Sequence, residues 1–234
     1  MRLVSCLLPT RDRPHFLRQA LRCYARQTYP NRELLVLDGG EHDVADLCRG
    51  IDGVRHLRLS PDMTYGACMN VGAEHARGEI LQKLDDDDHY APSFIARAVE
   101  ALENHGLHDL VVGWDCFHVL VRGDPELRFS GHGWAADGTL CIARSLWERV
   151  RFRETPGEFE SVLKDRSGAK LIQVCAPELY ILFRHGRNSW QSLRGVGVDD
   201  YFLSLPPTGL TAEHLLDPDD AHFYASFDGG NGAT

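Results

Sequence analysis

The sequence predicts an α/β fold: a mostly parallel sheet flanked by helices, with a smaller mixed half after it. Three observations predict this. Short apolar runs alternate with amphipathic stretches of helical spacing from Leu3 to Trp114. The runs are too continuous for strands with one wet face, so they read as strands buried on both sides. A chain of 234 residues that is 43% hydrophobic can also build one full core of this kind.

Leu3 to Leu8 reads as the first strand, ended by Pro9-Thr10. Asp12 is placed to cap the next helix, with Pro14 in its first turn. There Phe16, Leu17, Ala20, Leu21 and Tyr24 form the apolar stripe, opposite Arg18, Arg22 and Arg26. Tyr29-Pro30-Asn31 ends it, and Glu33 to Leu37 forms a second strand running into Asp38-Gly39-Gly40. A short helix over 44–48 leads to a third strand over 54–59. A helix over 66–76 follows, with Gly78 at a C-cap position. The fourth strand, Glu79 to Leu84, delivers four consecutive aspartates, Asp85 to Asp88. Another amphipathic helix covers 92–104 and a further strand 109–114. This alternation predicts parallel strands with right-handed crossovers.

Beyond Cys116 the pattern loosens. Short strands are expected near Val119 to Val121, Phe129, Leu140 to Ala143, Leu171 to Val174 and Tyr180 to Phe183. Helices are expected over 145–150 and 158–165. The expected organisation is a single domain over 1–198, split into halves at 1–115 and 116–198. The acidic segment 199–234, with Pro206-Pro207 and Gly229-Gly230-Asn231-Gly232, is expected to be a loosely packed tail.

The 25 Lys+Arg against 34 Asp+Glu leave a formal net charge of −9, which argues against general binding to a nucleic-acid backbone. Arginines nevertheless crowd the first 32 residues, and no Lys or Arg follows Arg194, so the N-terminal region is suited to an anionic ligand. The seven cysteines contain no Cys-x-x-Cys pair, and most sit among apolar residues as expected reduced core thiols. No run approaches the roughly 20 apolar residues of a membrane span, and Met1 to Pro9 is too short for a signal peptide. A cytoplasmic location is expected.

Three strand ends carry chemistry: Pro9-Thr10-Arg11-Asp12-Arg13, Asp38-Gly39-Gly40 and Asp85 to Asp88. Parallel strands put all three along one carboxyl edge, where ligands of open α/β sheets collect. Adjacent like charges repel, and a hard divalent cation such as Mn²⁺ or Mg²⁺ relieves that repulsion. A solvated acidic turn is the alternative reading of such a run. Carboxylates, arginines and glycine-permitted backbone approach are together the parts that bind a nucleoside diphosphate through its metal.

Val4 to Arg13, Gln27-Thr28-Tyr29-Pro30, Leu34 to Gly40, the spaced set Gly66, Asn70, Gly72, Ala76, Gly78, Glu79, and Leu84 to Asp88 occur in that order. Taken together they resemble the family 2 glycosyltransferases of the GT-A fold, whose nucleotide-binding half is Rossmann-like. The resemblance implies a nucleotide-diphospho-sugar donor, a UDP-sugar by default, with a dTDP-sugar presenting the same imide. Pro9, Thr10 and Arg11 would line the nucleotide, Asp38 would meet the base, and Asp85 and Asp86 would lie near the ribose. Asp87 would be the direct metal ligand with Asp88 beside it, and His185 of Arg184-His185-Gly186-Arg187-Asn188 would complete the metal shell. For His185 alone, a surface turn is the plainer reading.

Inverting members need a carboxylate base in the second half. In Pro156-Gly157-Glu158-Phe159-Glu160, Glu158 matches that register and Glu160 is the fallback, although acids favour a helix start in any case. Gln191-x-x-Arg194 lacks the Trp of processive synthases, which also span membranes, so a single-sugar transferase is expected. Trp114, Trp134 and Trp147 read as core before sugar platforms. The acceptor hydroxyl, of a saccharide, lipid or other compound, is not readable. One alternative is a degenerate GT-A module that binds nucleotide without turnover. Another, an aspartyl phosphotransferase, would need an Asp-x-Asp-x-Thr after the first strand, which is absent.

Overall fold

The computed structural model describes residues 1–133, 135–154, 166–193 and 196–227. Strands β1 (Val4–Thr10), β2 (Arg32–Asp38), β3 (Val54–Arg58) and β4 (Ile80–Lys83) come first. With them alternate helices α1 (Pro14–Ala25), α2 (Ala45–Cys48) and α3 (Tyr65–His75). Next come β5 (His89–Tyr90), α4 (Phe94–Asn104), β6 (Leu110–Cys116), β7 (His118–Val121) and β8 (Glu126–Phe129). After a 3-10 turn over Asp137–Thr139 lie β9 (Cys141–Ala143), α5 (Arg144–Arg149), β10 (Lys170–Cys175) and β11 (Tyr180–Arg184). The chain continues through β12 (Ser192–Leu193), β13 (Val196–Gly197), α6 (Val198–Leu203), β14 (Pro207–Thr211), α7 (Ala212–Leu215) and α8 (Pro218–Ala225).

The principal sheet has the order β10-β6-β9-β4-β1-β2-β3, parallel except for β9, which runs antiparallel between β4 and β6. The expected strand at Leu140 to Ala143 therefore breaks the parallel run. A second sheet, β14-β8-β7-β11-β5, grows from the residues directly after the aspartates. Both faces of the principal sheet are covered. Cys6, Leu8, Leu34 and Val36 pack with Leu17 and Leu21 of α1 and Ile95 and Val99 of α4. Leu7, Leu35 and Leu37 pack with Met69 of α3 and Leu146 and Trp147 of α5. Two buried faces explain why these strands read as unbroken apolar runs.

Several expectations are corrected. Asp12 does not cap α1: it takes a positive φ of 52°, and its carboxylate accepts the backbone N–H groups of Glu41 and His42. The β1 and β2 turns are thereby tied together, and a Cβ on Gly40 would stand 2.7 Å from Asp12. Gly78 lies beyond the α3 C-cap, Ala76, and is needed because a Cβ there would come 2.6 Å from the Leu3 carbonyl. Cys116 and Cys175 are joined in a disulfide between β6 and β10, leaving five buried free cysteines. The helix expected over 158–165 lies outside the described residues.

The segment from 199 onward packs closely as far as it is described. Val198 and Phe202 are buried, β14 joins the second sheet beside β8, and Ala212, Leu216, Ala221 and Tyr224 enter a cluster with Phe16 and Phe183. In α8, Asp217 caps the backbone N–H groups of Asp219 and Asp220. Asp220 is fully buried and accepts a hydrogen bond from Gln19 of α1 at 2.6 Å and another from Arg26. The acidic composition hid this, because the acids of α8 face the arginines of α1.

Candidate active site

The register of β1 on β2 sets Thr10 beside Asp38, and β4, parallel to β1, ends just before Asp85. The three expected strand ends thus share one edge. Their side chains are placed unequally. Asp38 is fully buried, and its carboxylate accepts from the Gly40 N–H at 3.0 Å, the Val44 N–H at 3.3 Å and Arg58 at 2.7 Å, with His56 Nε2 at 3.1 Å. It organises the turn after β2, and a base would have to displace one of these partners. Pro9 is half-buried within β1, and the exposed Arg11 reaches across to donate to the Met63 carbonyl at 3.0 Å.

The four aspartates have four different environments. Asp85 lies 3.2 Å from Lys83 Nζ, accepts from the Tyr65 hydroxyl at 3.3 Å, and keeps its side chain 27% exposed. Asp86 accepts from Thr10 Oγ1 at 2.7 Å and from Arg13 at 3.1 Å. Burial, with repulsion from Asp87, pushes its carboxyl up to about 7. Asp87 Oδ2 lies 3.0 Å from His185 Nε2, 3.0 Å from Arg13 and 3.2 Å from Asn188 Nδ2. Burial alone would raise its carboxyl, but His185 and the Arg13 charge outweigh burial and hold it below the usual range. Asp88 is fully buried, accepting from the Tyr180 hydroxyl at 2.5 Å and the Phe183 N–H at 2.9 Å.

Asp88 is therefore a correction to the expected metal set: both of its oxygens face the interior and fasten β11 to the aspartate turn. Asp86 is likewise taken up by Thr10 and Arg13. The donors that fit Mn²⁺ or Mg²⁺ are Asp87 and His185, an oxygen and an imidazole nitrogen side by side, with the partly open Asp85 near them. Arg13 spans Asp86 and Asp87 and supplies positive charge between them. His185 is no surface turn. It is 1% exposed, with its ring against Phe16 at 4.6 Å and Phe227 at 5.4 Å. The segment expected to be a loose tail thus provides one wall of its pocket.

The two candidate bases, Glu158 and Glu160, lie outside the described residues. The approach to them is described. A Cβ on Gly66 would collide with the Arg153 carbonyl at 1.7 Å, so α3 and residue 153 touch backbone to backbone. Asn70 secures the same stretch: its amide donates to the Phe152 carbonyl at 3.0 Å, and its oxygen accepts from the Phe152 N–H at 3.1 Å and Trp147 Nε1 at 3.0 Å. The signature residues Gly66 and Asn70 thus hold residues 152 and 153 against α3, the helix whose first residue, Tyr65, reaches Asp85. Trp114 and Trp147 are buried core, and Trp134 lies outside the described residues.

Sequence reasoning missed Lys83 and Asp137. Lys83, 5% exposed at its side chain, pairs with Asp85 and with Asp137, whose Oδ1 has no hydrogen-bond partner among the described residues. A lysine inside an apolar strand was the available signal, since an unpaired charge is not left in a core.

A mostly parallel sheet covered by helices on both faces, with one antiparallel strand and a second mixed sheet built on after it, is the architecture of an α/β domain of the GT-A class. The profile of Glycosyl transferase family 2 matches residues 5–157, and the chain belongs to that family. An "uncharacterized glycosyltransferase" of Rickettsia prowazekii is 26% identical over 180 residues, covering 69% of this chain and 55% of that protein. An uncharacterized protein of Sinorhizobium fredii is 34% identical over 113 residues, covering 45% of this chain and 12% of its own length. The chain thus spans little more than half of one relative and far less of the other. Among solved structures, S. aureus TarS in complex with UDP-GlcNAc superposes with a TM-score of 0.60 at 15% identity, covering 81% of this chain and 61% of that one. Mannosyltransferase PcManGT from Pyrobaculum calidifontis, in complex with GDP-Man and Mn²⁺, gives 0.59 at 19%, covering 83% and 58%. These likenesses establish the fold. No helix among the described residues is long and apolar enough to cross a membrane.

Proposed function

We propose that this chain is a metal-dependent, inverting glycosyltransferase that moves one sugar from a nucleotide-diphospho-sugar to an acceptor hydroxyl of a saccharide, lipid or other compound. The observation that carries the reading is the Asp87–His185 pair at 3.0 Å on the carboxyl edge, with Asp85 open beside it. Family membership and the nucleotide sugars named with TarS and PcManGT support it.

Asp87 and His185 are the residues to hold Mn²⁺ or Mg²⁺, which when bound offsets the charge that grows on a departing diphosphate. Thr10 and Arg13 fix Asp86, and the turn after β2, organised by Asp38, forms the base side. A UDP-sugar is the first donor to test. The saturated Asp38 leaves the imide contact to an exchange of partners, so GDP belongs in the same test. Glu158, with Glu160 as fallback, is the proposed base, withdrawing the acceptor proton as its oxygen attacks the anomeric carbon from the face opposite the nucleotide. The clamp of Gly66 and Asn70 holds residues 152 and 153, which lead toward Glu158, against α3, the helix whose Tyr65 hydroxyl donates to Asp85, and this supports the base assignment.

Calorimetry of UDP and GDP, each with and without Mn²⁺, is the test. Tight binding of one of them that requires Mn²⁺ and disappears in Asp87→Ala is expected; binding indifferent to metal would sink the reading. Donor hydrolysis that survives in both Glu158→Gln and Glu160→Gln would remove the base assignment. Donor binding with no turnover by the unaltered protein would favour a nucleotide-binding module.

A further inference from the structure

We propose a second metal site, for a thiophilic divalent cation of the Zn²⁺ type, formed by Asp115, Cys116, His132 and Cys175 when the two cysteines are reduced. One ligand atom from each of these residues lies within 4.8 Å of the others. Two sulfurs, an imidazole and a carboxylate are the ligand classes that Zn²⁺ takes in four-coordinate sites. The cluster is separate from the donor aspartates, being carried by β6 and β10 on the far side of β9 from β4.

The local structure is built to converge there. On a regular strand Asp115 and Cys116 would point to opposite faces. The β6–β10 ladder shifts register at this point: Trp114 faces Val174 and Cys116 faces Cys175, so Asp115 is the unpaired residue of a bulge. Bulges re-aim side chains, and this one sets the Asp115 carboxylate beside the sulfur pair. His132 sits between Gly131 (φ 76°) and Gly133 (φ 113°), two left-handed positions that turn the loop back. Its Nδ1 lies 3.2 Å from Asp115 Oδ2, and its ring meets Phe129 edge-on at 5.9 Å. Asp115 Oδ1 is buried and has no hydrogen-bond partner among the described residues, a costly state that a cation relieves.

In the structure the two sulfurs are bonded to each other, so metal and disulfide are alternatives. A dithiol reductant gives two electrons and two protons to the S–S bond, becoming a cyclic disulfide itself. Metal binding then displaces both thiol protons, leaving two thiolates on the cation. The disulfide and the metal each staple β6 to β10, so the staple persists across a change of redox state.

Co²⁺ serves as the probe. The protein is reduced, freed of reductant without air, and titrated with Co²⁺ while absorbance is recorded. One equivalent giving a thiolate-to-cobalt charge-transfer band with the visible bands of tetrahedral cobalt is expected, and Zn²⁺ should bleach it. The donor aspartates carry no sulfur, so Co²⁺ bound there lacks the charge-transfer band, which makes the result independent of the proposed transferase activity. Cys175→Ser should abolish the band, and His132→Ala should weaken binding by at least about tenfold. Both positions are exposed, and circular dichroism confirms that the variants fold. Absence of the band in the reduced protein, or its persistence in folded Cys175→Ser, overturns the proposal.

Discussion

Asp87 and Asp88 are covalent neighbours whose carboxylates do opposite work. Asp87 meets His185 and Arg13, whereas Asp88 is sealed between the Tyr180 hydroxyl and the Phe183 N–H. Burial, reinforced by repulsion from Asp87 and Asp85, pushes the Asp88 carboxyl well above the carboxylate range. An uncharged side chain of the same shape is therefore acceptable at 88. In Asp88→Asn the amide oxygen still takes the Phe183 N–H, and the amide NH₂ can donate to the Tyr180 oxygen. Asp88→Asn should keep Mn²⁺-dependent nucleotide binding within a few-fold, while Asp87→Asn should weaken it by 100-fold or more, about 3 kcal/mol. Calorimetry on the two variants decides this, and equal losses would return Asp88 to the metal site. A run of four identical letters could not separate these roles. The separation comes from β11, which lies about a hundred residues downstream and supplies both Tyr180 and, just beyond its end, His185.

The elements of the first half were legible because each is locally determined. Unbroken apolar runs mark strands covered on both faces, and the α1 stripe from Phe16 to Tyr24 has helical spacing. What escaped were pairings between distant segments: β9 set antiparallel between β4 and β6, β5 paired with β11, and β14 paired with β8. Short strands carry too few residues to show a period, and their partners are not marked in the string. The helix α3 shows how a spaced signature becomes a device. Its glycine at 66 permits backbone contact with Arg153, and Asn70 makes three buried hydrogen bonds to Trp147 and Phe152. Asn70→Ala strands those partners, each at about 1–3 kcal/mol before relaxation. A net loss near 3 kcal/mol is expected in thermal unfolding. Because the clamp holds the approach to the proposed base, Glu158, turnover measured well below the transition should also fall at least about tenfold, with nucleotide affinity nearly unchanged. An Asn70→Ala protein that is destabilised yet turns over normally would separate the clamp from the reaction.

Across the whole molecule, the uneven charge of the sequence resolves into an internal match. The N-terminal arginines looked available to an anionic ligand. Arg13 does face the aspartates, but Arg22 and Arg26 of α1 are instead engaged by Asp217, Asp219 and Asp220 of α8. That docking brings Phe227 against His15 and His185, so the last described turn of the chain bears on the histidine proposed to hold the metal. Asp220 is the buried centre of the junction, with Gln19, Arg26 and His89 around it. Burial alone would raise its carboxyl, but the hydrogen bonds from His89, Gln19 and Arg26 outweigh burial and hold it well below the ordinary carboxylate range. A carboxyl whose folded-state pKa is depressed contributes stability that is fully present above its unfolded value, near 3.9. That contribution is lost as pH falls from about 4 toward the folded value. Asp220→Asn should therefore cost about 3 kcal/mol at pH 7, a fall of roughly 6–12 °C in Tm for a chain of this size. The gap between variant and parent should stay constant from pH 7 to about pH 5 and close on further acidification. Thermal unfolding across that range measures it. A gap that did not narrow below pH 4 would mean that Asp220 is held by packing and not by its charge, and that the arginines of α1 are matched to α8 by proximity alone.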